Sequence, residues 1–140
     1  MKRIVVVVLS AILLCSYMFG STPPTTIQKT FMEKYKTATK ISWEKEERNE
    51  WEVDFVYEGC KLSAVFAENG SWIETERKIK VAELPTAIAQ TIKSIYSDWT
   101  IHKIVKKETS KIGIFYDVEM KKKDEKMTVT FNEDGTKVAD

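Results

Sequence analysis

The sequence predicts an α+β domain made of two tandem α-β-β-β-β repeats, which form one antiparallel sheet of about eight strands with two helices packed on one face. Three observations carry this expectation. Phe66-Ala67-Glu68-Asn69-Gly70 returns as Phe131-Asn132-Glu133-Asp134-Gly135, 65 positions later. Two stretches place apolar side chains at helical spacing, and several others alternate apolar and polar residues about turn dipeptides. At 140 residues and 43% hydrophobic content, the chain can bury one compact core and is short for two independent ones. The domain is expected over 22–140, with repeat one at 22–82 and repeat two at 83–140.

Residues 1–21 read as a secretory signal. Met1-Lys2-Arg3 precedes an apolar run from Ile4 to Leu14, and small or polar residues follow at Gly20, Ser21 and Thr22. The run is too short to span a bilayer, so no stable membrane span is expected once the signal is removed. Loss of Lys2 and Arg3 turns 22 basic residues into 20, against 21 acidic ones. A nearly neutral mature chain gives no electrostatic basis for nucleic-acid binding. Leu14 stands before Cys15 where a lipoprotein cleavage site takes a small residue, so a lipid anchor at Cys15 is not expected. Cys60 is then the only cysteine of the mature chain, and a small buried hydrophobe is its expected role.

The first helix is read from Ile27, Phe31 and Tyr35, with Thr25 or Thr26 as its cap. The second is read from Leu84, Ile88 and Ile92, with Pro85 in its opening turn. Each is expected to run about fourteen residues. Among the strands, a hairpin about Glu58-Gly59 pairs Tyr57 with Cys60, Phe55 with Leu62, Val53 with Ala64 and Trp51 with Phe66. A slip of one residue would set Phe55 against Lys61 or Ser63, so the register is tightly specified. The second repeat pairs Met120 with Met127, Val118 with Val129 and Tyr116 with Phe131. Asn69-Gly70 and Asp134-Gly135 suit two-residue type I′ turns, which would pair Phe66 with Ile73 and Phe131 with Val138. The strand around Ile41 to Lys45 is left with two orientations for Trp43.

Opposite the apolar face lie Glu50, Glu52, Asp54, Lys61, Ser63, Val65, Ala67, Trp72, Glu74 and Glu76. This open face is the candidate partner face, and Trp72, Glu52, Asp54, Glu74 and Glu76 are its candidate contacts. Trp72 opposite Ala67 has two readings: an aromatic anchor for a protein, or a structural side chain that covers Ala67 or packs on the neighbouring Trp43.

Catalytic, metal and cofactor residues are not identified. His102 is the only histidine and lies in an alternating strand pattern that turns it to solvent. No glycine-rich phosphate loop occurs. Glu74 and Glu76 share a strand face at about 7 Å, a spacing open to paired carboxylates but without a cleft or a repeated pair to support catalysis.

Ile41-Ser42-Trp43-Glu44, Trp51-Glu52-Val53-Asp54-Phe55, the run from Phe66 to Glu76 and Glu83-Leu84-Pro85 together resemble the PepSY-like family of exported bacterial proteins, also described as β-lactamase-inhibitor-like. The resemblance spans nearly the whole mature chain. It implies a periplasmic or secreted, non-catalytic module that binds or inhibits an envelope or extracellular protein through the open sheet face. The alternative is a periplasmic small-ligand carrier with an apolar pocket between sheet and helices.

Overall fold

The computed structural model describes residues 21–138. The expected signal, Cys15 included, lies outside these residues except for Ser21. Helix α1 spans Thr25–Lys34 and is followed by strands β1 (Thr39–Lys45), β2 (Glu50–Tyr57), β3 (Cys60–Ala67) and β4 (Trp72–Ile79). A single 3₁₀ turn at Val81–Glu83 leads to helix α2 (Thr86–Ile95) and then β5 (Thr100–Thr109), β6 (Gly113–Lys122) and β7 (Glu125–Asn132). All seven strands join one antiparallel meander in the order β1-β2-β3-β4-β5-β6-β7.

The expected eighth strand is reduced to a single bridge, Lys137 opposite Phe131. The turn uses Thr136, whose carbonyl accepts the Asn132 N–H at 2.9 Å. Among the described residues, Lys137 and Val138 are then left against β7, Val138 donating its N–H to the Thr130 carbonyl at 2.9 Å.

Both helices are ten residues long, shorter than expected. Neither is capped by a side chain. Pro24 and Pro85 occupy the cap positions, and their carbonyls accept the first helical N–H groups, from Ile27 and Gln28 in α1 and from Ala89 in α2. Thr25 and Thr26, expected as caps, lie within α1. Its buried face carries Ile27, Phe31 and Tyr35, the last one residue beyond the helix; Leu84, just ahead of α2, extends the Ile88 and Ile92 stripe. Three large side chains at about 1.5–3 kcal/mol each give roughly 5–9 kcal/mol per helix before ordering costs.

The β2–β3 hairpin has the expected register at every pair, from Trp51–Phe66 to Tyr57–Cys60. Its turn residues Glu58 and Gly59 both have positive φ, +49° and +78°, as a two-residue I′-like loop requires. The β6–β7 pairs Tyr116–Phe131, Val118–Val129 and Met120–Met127 also form as expected.

The two Gly-Ser and Gly-Thr turns differ from expectation, and in the same way. Gly70 N–H bonds the Ala67 carbonyl at 2.9 Å and Ala67 N–H bonds the Ser71 carbonyl at 2.8 Å. Gly70 has φ +89° while Asn69 is not left-handed. This is a three-residue loop with glycine in a bulge, not the two-residue turn expected. Phe66 consequently faces Trp72 in place of Ile73, and Phe131 faces Lys137 in place of Val138. Each glycine also sits against the start of a helix. A Cβ on Gly70 would lie 3.4 Å from Thr26, and one on Gly135 would lie 2.6 Å from the Ala87 carbonyl oxygen.

The core sits on the helix side as two clusters. Beneath α1, Phe31 meets the rings of Tyr35, Trp43, Phe55 and Phe66 at centroid distances of 5.0–6.1 Å. Beneath α2, Ile88 and Ile92 pack over Ile104, Tyr116, Val118, Met120 and Phe131. Trp43 thus faces the helices, which resolves its orientation.

Candidate functional site: the open face of the sheet

The strand that buries Trp51, Val53 and Phe55 must, by its pleat, present Glu52 and Asp54 on the other face. Register carries this across the sheet. Glu52 stands opposite Glu44 on β1 and opposite Val65 on β3. Val65 faces Glu74 on β4, which faces Thr109 on β5. One row over, Asp54 faces Ser63, Ser63 faces Glu76, and Glu76 faces Lys107. Glu52, Asp54, Glu74 and Glu76 therefore share one surface, the one turned away from α1 and α2.

Lys107 is the cation at the centre. Its ammonium lies 3.5 Å from Glu76 and 3.3 Å from Asp117, and its side chain is only 18% exposed. Burial lowers its pKa, but Asp117 and Glu76 outweigh that, and the group is held above the usual lysine value. Asp117 also accepts the Thr130 hydroxyl at 2.6 Å.

The carboxylates on the β2 and β4 rows are less well compensated. Half-burial pushes the Glu52 carboxyl above its usual value; the Ser63 hydroxyl, donating at 2.8 Å, opposes this, while Asp54, Glu46 and Glu76 add to it. Burial likewise raises Glu74, against the attraction of Lys107 and with the repulsion of Glu76, Glu50 and Asp117. Like charges on one pleated surface cost free energy in the isolated protein, and a surface that keeps them is suited to an oppositely charged partner.

Trp72 is not on this face. The glycine bulge sets it opposite Phe66, and a slip of one position moves a side chain across the sheet. Its indole packs against the α1 cluster, donates to the Thr75 hydroxyl at 2.9 Å and lies beneath the Lys34 ammonium at 4.0 Å. Thr75 is buried and also hydrogen-bonds the Tyr35 hydroxyl. Trp72 is therefore part of the packing, and the reading that set it opposite Ala67 is corrected. Cys60 is also corrected: it is exposed, at the first position of β3 after the Glu58-Gly59 turn.

Lys107 and Asp117 were missed from the sequence. Asp117 was reachable, since the offset of 65 that links the two halves carries Glu52 onto it. Lys107 was not, because Lys106-Lys107 reads as a solvated pair until β4 and β6 close around it.

His102 is exposed, with Nε2 3.7 Å from Glu119. Among the described residues, no group of three or more His, Cys, Asp or Glu side chains is placed to hold a metal ion. No helix of the described residues is long and apolar enough to cross a membrane. The described surface carries open clefts. One, about 310 Å³, is lined by Ser21, Thr22, Pro23, Gln28, Ile41, Ser42 and Trp43. Another, about 130 Å³, lies by Leu62, Thr75, Glu76, Arg77, Lys106 and Glu108. Neither is a closed apolar pocket.

A family model described as β-lactamase-inhibitor-like and PepSY-like matches residues 49–137. Among solved structures, a BLIP-like protein from Bacteroides fragilis NCTC 9343 superposes with a TM-score of 0.77 at 24% identity, covering 85% of each chain. A DUF2874 family protein from Bacteroides ovatus ATCC 8483 gives 0.78 at 19% identity, over 86% of this chain and 87% of that one. A Bacteroides eggerthii DSM 20697 protein, assigned provisionally to the periplasm, gives 0.75 at 18% identity over 85% and 88%. At these identities the likeness is one of fold. No curated protein matches the sequence.

Proposed function

We propose, from the premise that the chain belongs to the PepSY-like, β-lactamase-inhibitor-like family, that it is an exported, non-catalytic module that binds, and in binding inhibits, an envelope or extracellular protein through the open face of its sheet. The observation that carries this is the row of Glu52, Asp54, Glu74 and Glu76 on the surface turned away from α1 and α2, with Lys107 as its central cation. The burial of Glu52 and Glu74, and the repulsion each meets from neighbouring carboxylates, favour a partner that brings Lys or Arg side chains and relieves both. The BLIP-like Bacteroides fragilis neighbour supports the inhibitory part of the reading, and the Bacteroides eggerthii neighbour its periplasmic setting.

The two halves are copies of one unit in this reading. Trp51 donates to Glu68 as Tyr116 does to Glu133, and Gly70 and Gly135 abut Thr26 and Ala87 at the two helix starts. The Lys2-Arg3 start and the apolar stretch after it supply the export signal.

The test is crosslinking and capture from envelope extract with the wild-type chain, a Glu52→Lys/Glu74→Lys variant and Trp72→Ala. The expected partner is captured by wild type, is lost on charge reversal and at high salt, and is retained by Trp72→Ala if that variant folds. Equal capture of the same partner by the charge-reversed variant overturns the open-face reading.

A further inference from the structure

The two ends of the sheet are not alike. Beyond β7 the chain turns back, bridging Lys137 to Phe131 and donating the Val138 N–H to the Thr130 carbonyl at 2.9 Å. Beyond β1 no described strand follows, and this edge strand pairs with β2 alone. An edge strand of this kind offers a row of backbone donors and acceptors to another strand. Thr39 to Ser42, Glu44 and Lys45 are exposed, and Trp43 is half-buried.

We infer that β1 is a self-association edge, joining a second copy of the chain by antiparallel β1–β1 pairing about a two-fold axis through Ser42. The sequence Lys40-Ile41-Ser42-Trp43-Glu44 is complementary to its own reverse. Centring the pair on Ser42 sets Ile41 against Trp43 and Lys40 against Glu44, twice over by symmetry. Apolar meets apolar and cation meets anion at all four positions. The neighbouring registers lose this. Moving the axis to lie between Ser42 and Trp43 opposes Ile41 to Glu44 and Lys40 to Lys45. Moving it the other way opposes Lys40 to Trp43 and Ile41 to Ser42. One arrangement therefore stands apart, as register-specific pairing requires.

The local structure supports the same occupant. Trp43 faces the helix side, against Phe31 at a centroid distance of 5.2 Å, and the cleft of about 310 Å³ beside Ile41, Ser42 and Trp43 leaves room there for large side chains of a second copy. A bulge between Thr39 and Ser42, with Lys40 at φ +53°, lies within the pairing segment and takes Lys40 and Ile41 out of the ladder with β2. The four-carbon stem of Lys40 gives its ammonium the reach to meet Glu44 of the second copy across that bulge.

The experiment uses the full chain with Cys15 and Cys60 replaced by serine. Residues facing each other across an antiparallel pair have Cα atoms about 4.5–5.5 Å apart, within disulfide range. Ser42→Cys is expected to form a disulfide-linked dimer under mild oxidation far faster than Thr109→Cys, which sits on the open face. Lys40→Glu turns both cross-pairs repulsive and is expected to weaken self-association roughly tenfold, and adding Glu44→Lys restores it. The inference is overturned if Ser42→Cys crosslinks no faster than Thr109→Cys, or if the charge-swapped double variant associates no better than Lys40→Glu alone. A strictly monomeric chain at millimolar concentration also overturns it.

Discussion

Two glycines with positive φ, in hairpin turns of different length, carry different demands. Gly135 has φ +83°, and a Cβ there would lie 2.6 Å from the Ala87 carbonyl oxygen, while the Thr91 hydroxyl reaches the Gly135 carbonyl at 3.0 Å. Gly59 has φ +78° with nothing within 4 Å of the same atom. Gly135→Ala therefore combines left-handed strain with a backbone collision and is expected to cost about 2–4 kcal/mol. Gly59→Ala meets only the strain and is expected to cost about 1 kcal/mol. Urea denaturation of both variants against wild type checks the difference, and equal losses would show that α2 does not press on the turn. The importance of Gly135 is not written in its neighbours, because the atoms it must avoid belong to a helix more than forty residues away.

At the level of elements, the strands were legible where a periodic apolar pattern and a local turn agreed. Trp51, Val53 and Phe55 opposite Phe66, Ala64 and Leu62 satisfy both, and the β2–β3 register follows. Trp72 was misplaced because Asn-Gly is compatible with two loop lengths, and the choice between them is made by packing against α1, which no local pattern encodes. Helix length was overestimated for a related reason: apolar spacing continues through Tyr35 and Tyr96, but both leave the helical region at φ −124° and −118° as the chain turns back to the sheet. The β2–β3 turn also offers a place for improvement. Glu58 adopts φ +49°, which Asn tolerates better than Glu. Glu58→Asn is expected to raise the urea midpoint, by under about 1 kcal/mol in stability, with the m-value unchanged.

Across the whole molecule, the open face makes stability depend on pH. Glu52 and Glu74 have carboxyls raised above their unfolded values, so the folded state holds these protons more tightly than the unfolded one. Their contribution is fully present below the unfolded carboxyl pKa and is lost as pH rises through the folded value. Glu52→Gln and Glu74→Gln are therefore expected to raise the melting temperature at pH 7 and to flatten its decline between mildly acidic and neutral pH. Calorimetry across that range checks this, and variants that melt lower at neutral pH would show that the carboxylates are stabilised in the free protein. Of this face, Glu52, Asp54, Glu74 and Glu76 were legible from alternation alone. The Lys107 contacts with Glu76 and Asp117 were not, since they join three strands through both the β4–β5 and the β5–β6 pairings.

That same β4–β5 pairing runs between two separate hydrophobic clusters, one under each helix. At the middle of the molecule the two clusters are therefore joined by the β4–β5 ladder and the side chains along it, the Lys107–Glu76 pair and Ile79 among them. Twist about that seam is expected to change the distance between Glu52 and Asp117, and spin labels at the two positions, compared with and without a bound partner, would report it.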